Sequence, residues 1–280
     1  MEKNDVIASL LELPEFEPDR KTVKLPRLNL VLELQEVPYN KLVRIRREED
    51  AQLHLILAAV VNHPELRQAE WYHDKEGCAT PVDALKKLLR MGEVEKLCRE
   101  KDLLLIVDEV QTGIGRTGSL FCFQQYGIRP DVVTMAKGLG GGLPIGAVLA
   151  AGNCSTVLGP GTHASTFGGS PTVCAAANAV LAKVNNPVFL EKVRSKGEYI
   201  RQNLQAMKTP AIKGVRGMGL MIGIEVEAGK QGEYVNRMLE KGVLALTAGS
   251  SAVRLLPPLT ITIEEIDEAL KVMKDVFGAA

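Results

Sequence analysis

Long apolar runs are missing from this chain: strictly apolar stretches such as residues 103–107 fall far short of the ~18 or more residues a membrane-spanning helix needs. No transmembrane segment is expected. Net charge is missing too. Thirty-four Lys and Arg cancel 34 Asp and Glu, and a chain without a global field has no electrostatic reason to hold nucleic acid or an anionic membrane. Paired cysteines are also absent. The five, Cys78, Cys98, Cys122, Cys154 and Cys174, are odd in number, scattered and without a C-x-x-C pair. That pattern argues against a disulfide framework and against a zinc cage, and the cysteines are expected to be small buried hydrophobes. His54, His63, His73 and His163 show no metal-like spacing. Behind Met1-Glu2-Lys3-Asn4-Asp5 there is no apolar region of the kind a secretory signal carries, so the cytoplasm is the expected compartment. What is present is 280 residues, 46% of them apolar, enough for one large or two modest domains with a sizeable core.

Glycine is scarce at the front. Only Gly77 and Gly92 of 26 glycines precede residue 95, together with three of the four histidines and the single tryptophan, Trp71. Beyond it the chain is glycine-rich and carries short Val/Ile/Leu runs, the texture of strands alternating with helices. This predicts an N-terminal segment over 1–95, a larger α/β part over 96–184 and an α+β tail over 185–280. Val23, Leu25, Leu28, Leu30, Leu32 and Leu34 alternate with polar residues around Pro26, which predicts a hairpin or a pair of edge strands within 22–37. Helices are predicted over 39–61 and 80–100, the second with Thr80 as N-cap and Pro81 at its first position. Strands are predicted at 103–107 and 132–136. The roughly two dozen residues between them suffice for a crossover, so the two strands run parallel with their C-terminal ends on one rim. Residues 145–150 return antiparallel. Helices over 172–184 and 187–208, strands at 219–226, 243–247 and 252–256, and a last helix opened by the capping-box pair Thr262 and Glu265 complete the tail.

Asp108 and Lys137 each follow one of the two parallel strands. Adjacent strands lie ~5 Å apart, so an acid and an amine are aimed at one ligand at the rim where open α/β sheets bind. A lysine that attacks a carbonyl and a carboxylate that keeps a pyridinium protonated are the two parts a pyridoxal cofactor needs. On position alone, Asp108 could equally cap the next segment and Lys137 be a solvated strand-end residue. Two other patterns point elsewhere and fail on context. Gly113-Ile114-Gly115-Arg116-Thr117-Gly118 satisfies G-x-G-x-x-G, but Asp108 and Glu109 stand between strand and glycines, where they would repel a pyrophosphate. Lys137 precedes its glycines, the reverse of a P-loop.

The words around these residues carry a resemblance. The run from Leu104-Leu105-Ile106-Val107-Asp108-Glu109-Val110-Gln111-Thr112-Gly113 through Gly118, then Pro130-Asp131, Ala136-Lys137-Gly138-Leu139-Gly140-Gly141-Gly142-Leu143-Pro144, Thr166-Phe167-Gly168-Gly169-Ser170-Pro171, Arg216-Gly217-Met218-Gly219 and Arg254-Leu255-Leu256-Pro257-Pro258, resembles the class III pyridoxal-phosphate aminotransferases, most of all their acetylornithine and ornithine branch. Ser170 stands where the family more often has asparagine. The likeness covers roughly residues 93–280, about two thirds of the chain. It implies a partial fold-type-I large domain of α/β type followed by an α+β small domain. It also implies pyridoxal 5'-phosphate as cofactor and transfer of an amino group from an amino-acid substrate to 2-oxoglutarate, with a homodimer that shares its sites. By resemblance, Lys137 binds the cofactor covalently and later moves the proton at the substrate Cα, and Asp108 pairs with the pyridinium nitrogen. Gln111 bonds the phenolic oxygen, Thr166 reaches the phosphate in the neighbouring subunit, and Arg254 clamps the substrate carboxylate.

Residues 21–96, with the stretch Gly77-Cys78-Ala79-Thr80-Pro81-Val82-Asp83-Ala84-Leu85, resemble instead the small tail-assembly chaperones of bacteriophages. The Ser-Gly-Thr-type helix start that cradles the cofactor phosphate in the aminotransferases is not found, nor an aromatic residue placed to stack on the pyridine ring. The alternative reading is therefore a chimeric or truncated chain without catalysis, whose front segment is a chaperone-like binding module.

Overall fold

The computed structural model describes residues 20–25, 30–35 and 91–278. The helix predicted over 39–61 and the Thr80–Pro81 start of the next one lie outside the described residues, as does Cys78. Contacts divide the chain into two units, residues 1–103 and 104–280, each of which is described by itself.

In the first unit, β1 (Arg20–Leu25) and β2 (Leu30–Gln35) pair antiparallel from Arg20↔Gln35 to Leu25↔Leu30, the hairpin the alternation predicts. Helix α1 (Met91–Glu100) is amphipathic and laced by i,i+4 ion pairs, Arg99–Glu95 at 3.4 Å and Lys96–Glu100 at 3.7 Å. Asp102 turns the chain with a left-handed φ of 52°.

The second unit holds two sheets. In the first, β3 (Ile106–Asp108) runs parallel to β4 (Val132–Met135), which pairs antiparallel with β5 (Ala147–Ala150). The strand expected at 103–107 begins three residues later and takes in Asp108. Its beginning is fixed by Asp131, whose Oδ2 accepts from the Leu105 amide at 2.8 Å while its own amide donates to Leu105 O at 2.9 Å. Val133 and Met135 turn inward against Phe121, Ala177 and Val184, so helix α2 (Pro171–Val184) covers that face of the sheet.

After α2 comes α3 (Pro187–Ala206), capped by Asn186, whose side chain accepts from the amides of Val188 at 2.9 Å and Phe189 at 3.3 Å. The second sheet has the order β6 (Gly214–Met218), β7 (Met221–Glu225), β9 (Ala252–Leu255), β8 (Leu246–Ala248), all antiparallel. Its helices are α4 (Gln231–Glu240) and α5 (Ile263–Gly278). The single strand predicted at 219–226 is the second arm of a hairpin. Gly219 (φ 51°) and Leu220 make the turn, and 214–218, too glycine-rich to read as a strand, is the first arm. The strand expected at 243–247 forms at 246–248 instead. The capping box is as the sequence predicts: the Thr262 amide donates to Glu265 Oε2 at 2.8 Å and the Glu265 amide to Thr262 Oγ1 at 3.2 Å. Val193, Leu204, Leu220, Ile224, Met238 and Phe277 are buried in the core between α3, the sheet and α5.

The glycines of the false dinucleotide fingerprint join the two sheets. A Cβ on Gly115 would stand 2.5 Å from Val184 Cγ1, and one on Gly118 2.4 Å from Arg194 Cγ. Arg116, between them, donates to Pro257 O at 2.6 Å and Leu220 O at 3.2 Å, while its own carbonyl accepts from the Leu220 amide at 3.0 Å. Burial pushes the Arg116 guanidinium down from its ordinary value, and the carbonyls it holds compensate that cost. The motif is a clasp, and the close approach of backbone explains its glycines. Among the described residues Cys122, Cys154 and Cys174 are free thiols. Of the four described cysteines Cys154 is buried, as expected, and Cys98, Cys122 and Cys174 are half-buried. Among the described residues no single helix is long and apolar enough to cross a membrane.

Candidate active site

The site starts from strand register. Parallel pairing sets Asp108 opposite Thr134, and Lys137 follows three residues further along the same rim. Asp108 is the last residue of β3 rather than the first beyond it. Its Oδ1 accepts from the Val110 amide at 2.9 Å and from Thr134 Oγ1 at 3.1 Å. Both bonds fall on one oxygen and aim the carboxylate; Thr134 is a residue the sequence reading missed, and only the register reveals it.

Lys137 opens a 3-10 turn, Lys137–Gly140, with a left-handed φ of 48°. A side chain there costs about 1–2 kcal/mol relative to ordinary helix geometry. The turn is held because Leu139 is buried and because Gly140 and Gly141 lie against Ile145 and Val180, where added Cβ atoms would meet side chains at 3.0 and 2.9 Å. The amine is thereby projected outward, and the Lys137 side chain is exposed.

Glu109, next to the proposed cofactor acid, is a different kind of residue. It is 1% exposed, with Oε1 accepting from the Phe123 amide at 2.8 Å and Oε2 from Thr112 Oγ1 at 2.5 Å. A buried carboxylate satisfied at both oxygens is a structural brace. It fixes the segment from which Gln111 emerges.

Gln111 and Arg254 come together across 143 residues of sequence: Arg254 Nη1 donates to Gln111 Oε1 at 3.3 Å. Arg254 sits on β9, an inner strand between β7 and β8, where Gly223 and Leu246 are its register partners. Its Nε is buried and has no hydrogen-bond partner. A buried donor without an acceptor is costly, and it marks where an anionic group would be welcome. Four of the five predicted site residues thus fall into two pairs, one set by the β3–β4 register and one by a direct contact. Thr166 stands apart in the wholly exposed run 161–169, and no hydrogen bond among the described residues ties it to the other four. The neighbouring Phe167 is 88% exposed. A cleft of about 380 Å³ in the tail, lined by Ile200, Leu255, Pro257, Ile266 and Met273 together with Lys241, Glu265 and Glu268, contains none of the five.

This arrangement can be set beside known proteins. The family described as aminotransferase class-III matches residues 86–277. The chain belongs to the class-III aminotransferases. Among curated class-III relatives, it is 52% identical over 187 residues to the acetylornithine aminotransferase of Caldanaerobacter subterraneus, covering 66% of this chain and 47% of that protein. It is 41% identical over 245 residues to that of Listeria monocytogenes, covering 86% and 58%. The second match necessarily reaches back before residue 86. Among solved structures, an N-acetylornithine aminotransferase from Stenotrophomonas maltophilia superposes with a TM-score of 0.61 at 35% identity, over 68% of this chain and 50% of that one. An ornithine aminotransferase from Toxoplasma gondii does so with a TM-score of 0.64 at 36% identity, over 68% and 46%. Over the matched residues the fold is therefore that of the class-III aminotransferases. The chain spans about half the length of the curated relatives it matches.

The residues present suit pyridoxal phosphate, the family's cofactor, at its ring end. A carboxylate held by one oxygen and an exposed lysine end adjacent strands, a glutamine amide follows the carboxylate by three residues, and the buried Arg254 Nε beside it has no acceptor.

Proposed function

We propose that this chain carries the catalytic half-site of a pyridoxal-phosphate aminotransferase of the acetylornithine or ornithine type, moving an amino group from an amino-acid donor to 2-oxoglutarate. The observation that carries this reading is the β3–β4 pairing that ends Asp108 and Lys137 on one rim. The cofactor, when bound, supplies an electron sink that acidifies the substrate Cα–H. Lys137 would hold it through Nζ and, once released, move a proton at the substrate Cα. Asp108, aimed by Thr134, would sit against the pyridinium nitrogen. Gln111 would use its amide nitrogen on the phenolic oxygen while its Oε1 engages Arg254. Arg254, fixed on an inner strand, would take the substrate carboxylate with its two-pronged guanidinium. Thr166 would meet the phosphate bound in the other subunit of a homodimer.

The experiment is a spectral titration. Adding pyridoxal phosphate to the purified chain is expected to raise a visible absorbance band that borohydride fixes and that Lys137→Ala abolishes. A folded chain that never develops the band, or one whose band survives Lys137→Ala, overturns the reading.

A further inference from the structure

Gln111 and Arg254 meet through one side-chain contact, and an exposed bond at 3.3 Å between two long side chains cannot hold two elements in place against the entropy of ordering them. Another residue sets their separation. Arg116 follows Gln111 by five residues, and its Nη1 donates to Pro257 O at 2.6 Å and to Leu220 O at 3.2 Å while its own carbonyl accepts from the Leu220 amide at 3.0 Å. Pro257 lies three residues beyond Arg254, and Leu220 immediately precedes β7, whose Gly223 is the register partner of Arg254. One guanidinium therefore ties the Gln111 segment to both strands that frame Arg254. Among the described residues, every hydrogen bond between residues 111–118 and residues 214–259 other than the Gln111–Arg254 contact passes through Arg116. The joint has no slack. A Cβ on Gly219 would stand 2.7 Å from Arg116 O and 2.6 Å from the Thr117 carbonyl carbon, so backbone lies directly on backbone.

We propose that Arg116 is the positioning residue of the carboxylate clamp: its guanidinium fixes where β9 stands against the Gln111 segment, and so aims Arg254 and keeps its Nε buried and unpaired for an incoming carboxylate. The inference rests on the reading of Arg254 as the residue that takes the substrate carboxylate. A guanidinium suits the task because the two N–H bonds of one Nη1 lie in a fixed plane and reach carbonyls from two different strands, whereas a lysine ammonium rotates freely on a flexible stem. Without the guanidinium, two part-buried carbonyls lose their donor and the end of β9 is free to drift from Gln111.

The test follows the Arg254 Nε–H signal in nitrogen NMR spectra of the full chain, assigned by its disappearance in Arg254→Lys. In Arg116→Met the signal is expected to shift and its exchange with solvent to quicken about tenfold or more, because the Nε is no longer held buried. Titration with 2-oxoglutarate alone is expected to move the signal, with an apparent affinity about tenfold weaker in Arg116→Met than in the unmodified chain. Arg116→Lys, which keeps the charge and a donor, is expected to fall between the two. Lys196→Met is the control: Lys196 Nζ donates to Ile261 O, also beyond β9, but from α3 rather than from the Gln111 segment, so signal and affinity are expected to stay as they are. Circular dichroism checks that each variant is folded, and should Arg116→Met unfold, Arg116→Lys decides by the same two readouts. An Arg254 signal that stays put, an unchanged 2-oxoglutarate affinity, or an equal response to Lys196→Met would each overturn the proposal. If 2-oxoglutarate moves the signal in no chain while loss of Arg116 still frees it, the positioning stands and the carboxylate reading of Arg254 falls instead.

Discussion

Lys137 occupies a conformation its side chain disfavours, with φ at 48°. Glycine has no such penalty, so Lys137→Gly is expected to be more stable than Lys137→Ala by about 1 kcal/mol, read from urea midpoints, although both lose the amine. Equal midpoints would mean that the turn carries no strain at this position. Arg254 is the second residue whose setting matters. It reaches Gln111 at 3.3 Å and keeps a buried Nε without an acceptor. In an assembled, active enzyme Arg254→Ala is expected to raise KM for both carboxylate substrates by about a hundredfold while kcat falls less, as for loss of a charge-assisted clamp. An effect confined to kcat would assign the arginine another role. Asp108 and Lys137 were legible in the sequence because each ends an apolar run. Thr134 was not, because a threonine inside a strand carries no signal until the register shows what it faces.

At the scale of elements, the joint between α3 and the β6–β7 turn is the tightest contact. A Cβ on Gly197 would stand 1.9 Å from Gly219 O. Backbone cannot yield as a side-chain end can, so Gly197→Ala is expected to cost about 3 kcal/mol or more in urea unfolding, at the upper end of overpacking. A loss below about 1 kcal/mol would show that α3 slides freely past the turn. The hairpin itself shows where periodicity fails. Residues 214–218 hold two glycines and an arginine and form a strand only because β7 pairs with them. The beginning of β3 was misplaced for a related reason: residues 103–105 are as apolar as a strand, but the Asp131 contacts at Leu105 and the β4 register decide where pairing starts. The last helix was predictable from Thr262 and Glu265, because a capping box is a local interaction.

At the scale of the whole molecule, three groups among the described residues link stability to alkaline pH. Burial pushes the Cys122 thiol and the Tyr126 phenol up. Tyr199 is pushed up chiefly by its 2.7 Å hydrogen bond to Asp267. Each is more readily deprotonated in the unfolded chain than in the folded one. Their contribution is therefore complete below the unfolded values and is lost as pH rises through the folded ones. Urea midpoints are expected to hold near neutrality and to fall progressively above about pH 9. Tyr199→Phe should flatten part of that fall, and a midpoint that rises with pH in this range would contradict the linkage.

Apart from β6 and α4, which the sequence reading missed, the order of elements from β3 to α5, the family and the candidate acid, amine, amide and guanidinium were legible in the sequence alone. Apolar periodicity, caps and short motif words act over a few residues and are written in linear order. Only the tertiary structure decided that Gly113–Gly118, a pattern the sequence context had already discounted as a phosphate loop, serves as a clasp, and that Gln111 meets Arg254 across 143 residues. These depend on which surfaces meet, and surfaces distant in sequence are matched only once the chain has folded.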